Sequence, residues 1–262
     1  MAEIRFGLIG FGLWGAHHAR AIAETPGAVL SAIAARSVAG QQAAQEAFPD
    51  VAVTGDYRKL LERDDLDVID IVVPTHRHAE AACAALSSGR HVLLEKPMAA
   101  TLEDCRQILG AAKTARRLLA TGFQLRLSRL WGRIEELVRD DAIGTLLYCL
   151  IELCRSPYWG GADGWRYDRD RVGSWILEEP IHFFDLARWY LSGHGEPTAI
   201  TARANSIDDA RPLLSDNFSA FLDFPNGAYA VISQTLAAFE RHQTIRLTGT
   251  RGAIVGTWSG VT

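Results

Sequence analysis

Six residues near the start of the chain carry the first recognisable chemistry. Gly10-Phe11-Gly12-Leu13-Trp14-Gly15 follows the apolar run Ile4–Ile9 and leads into a helical pattern. Glycines at this spacing, between a strand and a helix, suit a dinucleotide pyrophosphate. The first permits a tight turn, the second lets main chain approach the phosphates, and the third allows close helix–strand packing. The helix N-terminus adds free amides and a positive dipole end. An acidic residue about 20 positions on would hold a ribose 2′-hydroxyl. Here that neighbourhood reads Ala34-Ala35-Arg36-Ser37. Arg36 can stack on an adenine and pair with a 2′-phosphate, and Ser37 can add a hydrogen bond, so NADP is expected, with NAD open. A solvated arginine at a strand end is the alternative.

Further on, Tyr158, Trp159, Trp165, Arg166, Tyr167, Asp168, Arg169 and Trp175 crowd into one stretch. Aromatics interleaved with polar groups suit sugar rings, whose C–H faces stack while their hydroxyls hydrogen-bond. They suit a subunit interface as well. The substrate pocket is the reading preferred here.

The elements that must position these residues fall into two sets. Up to about residue 122, short apolar runs alternate with Ala-rich helical stretches. The strands are read at Ile4–Ile9, Ala28–Ala34, Val51–Val53, Val68–Val73, His91–Leu94 and Leu118–Thr121. The helices are read at Leu13–Glu24, Val38–Ala47, His78–Ser87 and Leu102–Ala115. Strands that are apolar on consecutive positions are covered on both faces, so a doubly wound parallel sheet is expected. After Gly122 come a helix at Leu130–Val138, alternating strands at Thr145–Arg155, Ala199–Ser206, Phe218–Phe224, Tyr229–Thr235 and Thr244–Thr248, and a helix at Pro180–Leu191. Pro225-Asn226-Gly227 signals a hairpin turn. An α/β chain follows, with a nucleotide-binding domain over 1–122 and an α+β domain with a largely antiparallel, open sheet over 123–262.

The bulk numbers narrow the partners. A net charge of −4 with interspersed signs offers no basic field to nucleic acid or anionic lipid. No run approaches the roughly 18 apolar residues of a membrane span, and the first residues lack a secretory pattern. Cys83, Cys105, Cys149 and Cys154 show no metal-ligand spacing and read as free thiols. A soluble cytoplasmic protein without a metal is expected.

Val92-Leu93-Leu94-Glu95-Lys96-Pro97, with the glycine turn upstream and an antiparallel domain downstream, resembles the Gfo/Idh/MocA oxidoreductases over essentially the whole chain. The resemblance implies a Rossmann first domain. Pro74-Thr75-His76-Arg77-His78 resembles the family loop written TPNxxH, with His76 just past Thr75 in the usual Asn position. Gly122-Phe123-Gln124-Leu125-Arg126 resembles the crossing into the second domain, and Trp165-Arg166-Tyr167-Asp168 a W-R-x-D segment. Gly173 to Asp185 is similar to the signature G-G-x-x-x-D-x-G-x-H-x-x-D, keeping His182 and Asp185. Glu178 stands for the first Asp and Pro180 for a glycine. Glutamate is one methylene longer, which opens the question of the substrate more than that of the reaction.

What the resemblance implies is hydride transfer between a nicotinamide and a secondary alcohol or carbonyl of a sugar, cyclic polyol or related compound. Gly10, Phe11, Gly12, Leu13, Trp14, Gly15, Arg36, Ser37, Pro74, Thr75, His78, Glu95 and Lys96 would hold the cofactor. Lys96 and His182 would be catalytic, Lys96 stabilising an alkoxide and His182 exchanging its proton. Glu178 would join them through a substrate hydroxyl, with Trp165, Arg166, Asp168 and Asp185 also substrate-binding. Positions 178, 182 and 185 share a face if the helix is continuous, although Glu178 lies at or before its start. Asp185 could equally pair with Arg188. A homodimer or homotetramer through the open sheet is expected. An NAD-dependent glycosidase and a non-catalytic dinucleotide-responsive regulator are the alternatives; retention of Lys96 and His182 speaks against the latter. Relatives usually continue beyond a turn like Gly249–Gly252, so the chain reads as a short or truncated member.

Overall fold

The computed structural model describes residues 3–238 and 240–260. The chain divides into two compact units, Met1–Gly122 and Phe123–Thr262. In the first, the strands are β1 (Ile4–Ile9), β2 (Ala28–Ala34), β3 (Ala52–Thr54), β4 (Val68–Ile71), β5 (His91–Leu94) and β6 (Leu119–Thr121). The helices are α1 (Leu13–Glu24), α2 (Val38–Ala47), α3 (Arg58–Leu61), α4 (His78–Ser87) and α5 (Leu102–Ala115). The strands form one sheet in the order β3-β2-β1-β4-β5-β6, every pair parallel. Its topological switch lies between β1 and β4, where doubly wound sheets open a crevice at the strands' carboxyl ends. Two apolar clusters cover the sheet, one containing Leu8, Ile22 and Ile33, the other Ile69, Ile71, Leu86, Leu94 and Ile108. Both are needed because parallel strands bury both faces.

The second unit holds α6 (Arg129–Arg139), β7 (Leu146–Cys154), α7 (Arg169–Val172), α8 (Pro180–Tyr190), β8 (Ala199–Asn205), β9 (Asn217–Asp223), β10 (Tyr229–Thr235), β11 (Arg241–Gly249) and β12 (Ala253–Gly260). The sheet order is β12-β11-β7-β10-β9-β8. Only β7 and β10 pair in parallel; the other neighbours are antiparallel. The hairpin signal holds, since Pro225–Gly227 forms the turn between β9 and β10 with Asn226 at φ 65°. Two differences from the sequence reading concern strands. β11 begins at Arg241 rather than Thr244, and β12 was not anticipated. The start of β11 is polar and is held as strand by pairing with both β7 and β12, while β12 lacks clean alternation and is a strand through its pairing with β11.

Alternation along β7, β9, β10 and β11 turns Cys149, Ile151, Leu153, Leu222, Ile232, Ile245 and Leu247 to one face. There they meet Phe183, Leu186, Ala187 and Tyr190 of α8, which is how the sheet fixes that helix. The opposite face leaves Phe221, Tyr229 and Val255 exposed. Among the described residues no helix is long and apolar enough to cross a membrane, and all four cysteines are free. Because Ile151 is fully buried in this core, Ile151→Ala should lower unfolding free energy by about 2–5 kcal/mol. Urea denaturation followed by circular dichroism checks this, and a loss below about 1 kcal/mol would contradict the assigned packing.

Candidate functional site

The glycine turn is built around three different demands. Gly10 has φ +103°, and a Cβ there would lie 2.1 Å from the Val72 carbonyl oxygen. A Cβ on Gly15 would lie 2.1 Å from the Gly10 oxygen. Both positions are closed to side chains by main chain. Gly12 is the opposite case: nothing lies within 4 Å of its Cβ position, and it caps α1 without a side-chain hydrogen bond. The open approach and uncapped helix amides at Gly12 fit a pyrophosphate. Leu13 and Trp14 are exposed beside it. Phe11 differs, since its ring packs edge-on to Phe48 at 6.1 Å and leaves only main chain for a ligand.

Arg36 is exposed just beyond the end of β2. Ser37 is the N-cap of α2, its Oγ accepting from the Gly40 amide at 3.0 Å, so its first duty is structural. At the end of β4, Pro74 begins a short 3₁₀ turn and Thr75 is buried. His78 is fully buried, its ring nitrogens 2.7 Å from the Pro97 carbonyl and 2.8 Å from that of Val73. Burial lowers its pKa. The expected cofactor contact from His78 is therefore replaced by a clamp between two loops. The peptide it holds, Lys96-Pro97, is cis.

Glu95 sits just past β5 and is buried. Its Oε1 accepts from Trp14 Nε1 at 3.0 Å, and its Oε2 from the Lys96 amide at 3.1 Å. It therefore joins the glycine turn to Lys96 rather than facing a ligand itself. His18 and Asp70, which sequence reasoning missed, complete this cluster. His18 Nδ1 lies 2.8 Å from Asp70 Oδ2 and its Nε2 3.2 Å from Glu95 Oε1. Burial alone would lower the His18 pKa, but the hydrogen bonds and charges of the two acids push it up to about 10. The Glu95 pKa is lowered: burial opposes this, and the His18 and Trp14 hydrogen bonds outweigh it. The available signal was Asp70 itself, a charge inside an apolar parallel strand, which must have a partner.

In the second unit, His182 lies buried in the first turn of α8, its ring 5.9 Å from that of Phe123 in an edge-on contact. Pro180 occupies the first helical turn, where its missing N–H costs nothing. Glu178 precedes the helix and is buried, with Arg166 Nε donating to its Oε2 at 2.6 Å. Arg166 also lies over the rings of Trp165 and Trp159, at 4.7 and 5.4 Å. Glu179 goes elsewhere. Arg241 Nη2 and Gln243 Nε2 donate to its Oε1 at 2.7 and 2.6 Å, and Arg155 binds its Oε2.

Several expected substrate contacts take structural roles instead. Asp185 is gripped by Arg126 through two hydrogen bonds of 2.7 Å, while Arg188 pairs with Glu196. Asp168 caps α7 by accepting from the Asp170 amide at 3.0 Å. Trp165 and Trp175 join Tyr158, Val172, Leu214 and Leu236 in a buried satellite core. The aromatic stretch is thus partly a core of its own, a third option beside pocket and interface. Trp159 remains 60% exposed.

The family described as an oxidoreductase family with an NAD-binding Rossmann fold matches residues 4–123, and the GFO/IDH/MocA C-terminal domain matches residues 131–255. The chain belongs to the GFO/IDH/MocA family. It is an oxidoreductase with a nicotinamide-binding first unit. It is 27% identical to levoglucosan dehydrogenase of Pseudarthrobacter phenanthrenivorans, across 97% of this chain and 74% of that protein. It is 27% identical to 1,5-anhydro-D-fructose reductase of Ensifer adhaerens, across 90% and 70%. The solved levoglucosan dehydrogenase, in complex with NADH and L-sorbose, aligns with a TM-score of 0.87 at 26% identity, covering 98% of this chain and 74% of that one.

The Glu179 knot yields a pH-dependent prediction. Burial alone would raise the Glu179 pKa, but Arg155 and Arg241 outweigh that and hold it below the usual 4.5. A depressed carboxylate contributes stability above its unfolded pKa and loses it as pH falls through the folded one. Glu179→Gln should therefore lower stability at neutral pH by roughly 2–4 kcal/mol, less than a fully buried pair because Arg241 is partly exposed. Below the usual 4.5 the gap should narrow. Thermal melts across pH check it, and a gap independent of pH would contradict the assignment.

Proposed function

We propose that the protein transfers hydride between NADP and a secondary alcohol or carbonyl of a sugar, cyclic polyol or related compound. The observation that carries this reading is Lys96. It follows the end of β5, at the carboxyl edge of the parallel sheet, and its main chain is tied through Glu95 to the glycine turn. Relatives named for levoglucosan and 1,5-anhydro-D-fructose, and inositol 2-dehydrogenase beside them, support the substrate class.

The bound nicotinamide supplies the hydride acceptor or donor. Gly10, Gly12 and Gly15 would form the main-chain turn that receives the pyrophosphate, and Lys96 and Trp14 would complete that side. The Lys96 ammonium hydrogen-bonds the reacting oxygen and stabilises alkoxide charge as the C–H bond breaks. His182 takes the hydroxyl proton during oxidation and returns it during reduction. Glu178, oriented by Arg166, binds a neighbouring substrate hydroxyl, and Asp185 supports the helix through Arg126. Exposed Arg36 and the absence of an acid at Ala35 support NADP over NAD. The apolar outer sheet face around Phe221 and Tyr229 supports a homodimer or homotetramer, and the free thiols support a cytoplasmic location.

Absorbance of NADPH followed across a panel of sugars and inositols tests the reaction. Lys96→Ala and His182→Ala should each lower kcat by at least about 100-fold on the substrate found. Undiminished turnover in either variant would remove that residue from the mechanism. Glycoside cleavage without net change in NADPH would favour the glycosidase reading instead. For the cofactor, Arg36→Ala should reduce the preference for NADP over NAD by about 10- to 100-fold in kcat/KM, the worth of a charge-assisted phosphate contact. An unchanged ratio would reject Arg36 as the selector.

A further inference from the structure

The reaction proposed above leaves His18 and Asp70 without a task, although both lie in the most highly charged buried cluster of the first unit. The geometry restricts what His18 can be. Its two ring nitrogens face two carboxylates, at 2.8 and 3.2 Å, and an ionised carboxylate only accepts hydrogen bonds. A neutral imidazole carries one donor, so two ionised acids need a doubly protonated ring; burial raises the Asp70 pKa, and the His18 hydrogen bond and charge oppose that rise. Glu95 is met by donors on every side: the Trp14 indole and His18 at Oε1, the Lys96 amide at Oε2. Its pKa is accordingly lowered. Both ring nitrogens being engaged, the cluster is not a metal site, and no metal-binding group occurs among the described residues.

The surrounding structure limits Glu95 to this arrangement. A Cβ on Gly122 would come within 2.8 Å of Glu95 Oε1, so the main chain at that position walls in the carboxylate. Asp70 lies on β4, fully buried, and fixes the far side of the His18 ring. The other charged or titratable groups around the cluster are few. Lys96 acts on Glu95 from the end of β5, and His78 of α4 feels the Glu95 charge. His17, on α1 itself, is exposed beside Trp14 at 5.5 Å between rings.

We propose that His18 is a positioning residue: as an imidazolium held between Asp70 and Glu95, it locks the carboxylate that sets both the Lys96 main chain and the Trp14 indole of the glycine turn. This rests on the reading of Lys96 as the group acting on the reacting oxygen. The clamp links the turn that receives the pyrophosphate to the lysine through Glu95.

The first test needs neither cofactor nor turnover. In the full chain labelled with ¹⁵N-histidine and free of dinucleotide, the His18 nitrogens should stay doubly protonated at pH 8 and titrate near the value of about 10 given by the two acids. His17→Gln assigns the neighbouring signal. Asp70→Asn and Glu95→Gln should each move the His18 transition down by more than about one pH unit, since each removes one of the two charges that hold it. A His18 already neutral at pH 8 in the unsubstituted protein would overturn the clamp.

The second test reads positioning. His18→Gln should lower kcat by about 10- to 100-fold, the cost of a lysine displaced by a fraction of its length. Its KM for NADP and its dinucleotide Kd, followed by indole fluorescence, should change by less than kcat falls, because main chain fixes Gly10 and Gly15 and Trp14 keeps its own bond to Glu95. A folded His18→Gln enzyme with kcat within about 2-fold of the original would overturn the proposal. If that variant does not fold, Asp70→Asn, which keeps the shape, must show the same loss in kcat for the proposal to stand. A Lys96→Ala enzyme with full turnover would instead overturn the role of Lys96, while the imidazole titration would still decide the state of His18.

Discussion

Glu95 carries a negative charge just past the end of a buried strand, and the first unit is arranged around satisfying it. An unpaired carboxylate there would be neutralised or would cost several kcal/mol. Three donors prevent that, and each comes from a different place in the chain: the indole in the glycine turn, the ring on α1 and the amide of Lys96. The close approach at Gly122 removes the room the carboxylate would need to swing away. One charge thus fixes the relation between the glycine turn and a lysine more than 80 residues downstream. The parallel sheet makes this possible by bringing the carboxyl ends of β1, β4 and β5 side by side.

The second unit uses the same device at the start of α8. Consecutive residues on a helical path point about 100° apart, so adjacent acids at 178 and 179 diverge. Glu179 turns to the sheet, where Arg155 on the strand β7 side and Arg241 and Gln243 on β11 hold it. Asp185, two turns along, is gripped by Arg126. These pairs pin the helix at both ends of the segment carrying His182, while Phe183 and Leu186 bury its other side in the sheet. The proton exchange proposed for His182 needs its ring held to within a fraction of an ångström, and ion pairs with fixed direction supply that better than apolar contact alone.

How far the sequence could be read follows from which of these interactions are local. The parallel strands are legible because a strand buried on both faces is apolar at consecutive positions, and the glycine turn because its steric demands are met by residues one turn apart. The four long helices of the first unit are legible for the same reason. β12 is not, because Gly256, Ser259 and Gly260 erase its alternation and only the pairing with β11 makes it a strand. The start of β11 was hidden by polar residues that serve Glu179. His18 and Asp70 were overlooked because their partnership spans 52 positions. The aromatic stretch was misjudged for a related reason: side-chain type does not say whether Trp165 and Trp175 face a ligand or one another's neighbours, and here they join a small core.

That small core bears on the departure at Glu178. Trp165 is buried and Arg166, next in sequence, lies over its ring, so the guanidinium is carried by the core rather than by a loose loop. Its Nε reaches Glu178 at 2.6 Å, a short charge-assisted bond. A longer acid before the helix is therefore accommodated by an arginine whose position is set independently, and Pro180 lets α8 begin at once behind it. Glu178 and Pro180 then make one coherent replacement of the usual aspartate and glycine. The added methylene is taken up by the partner, and the backbone of α8, with His182 on it, starts where the helix needs it to start.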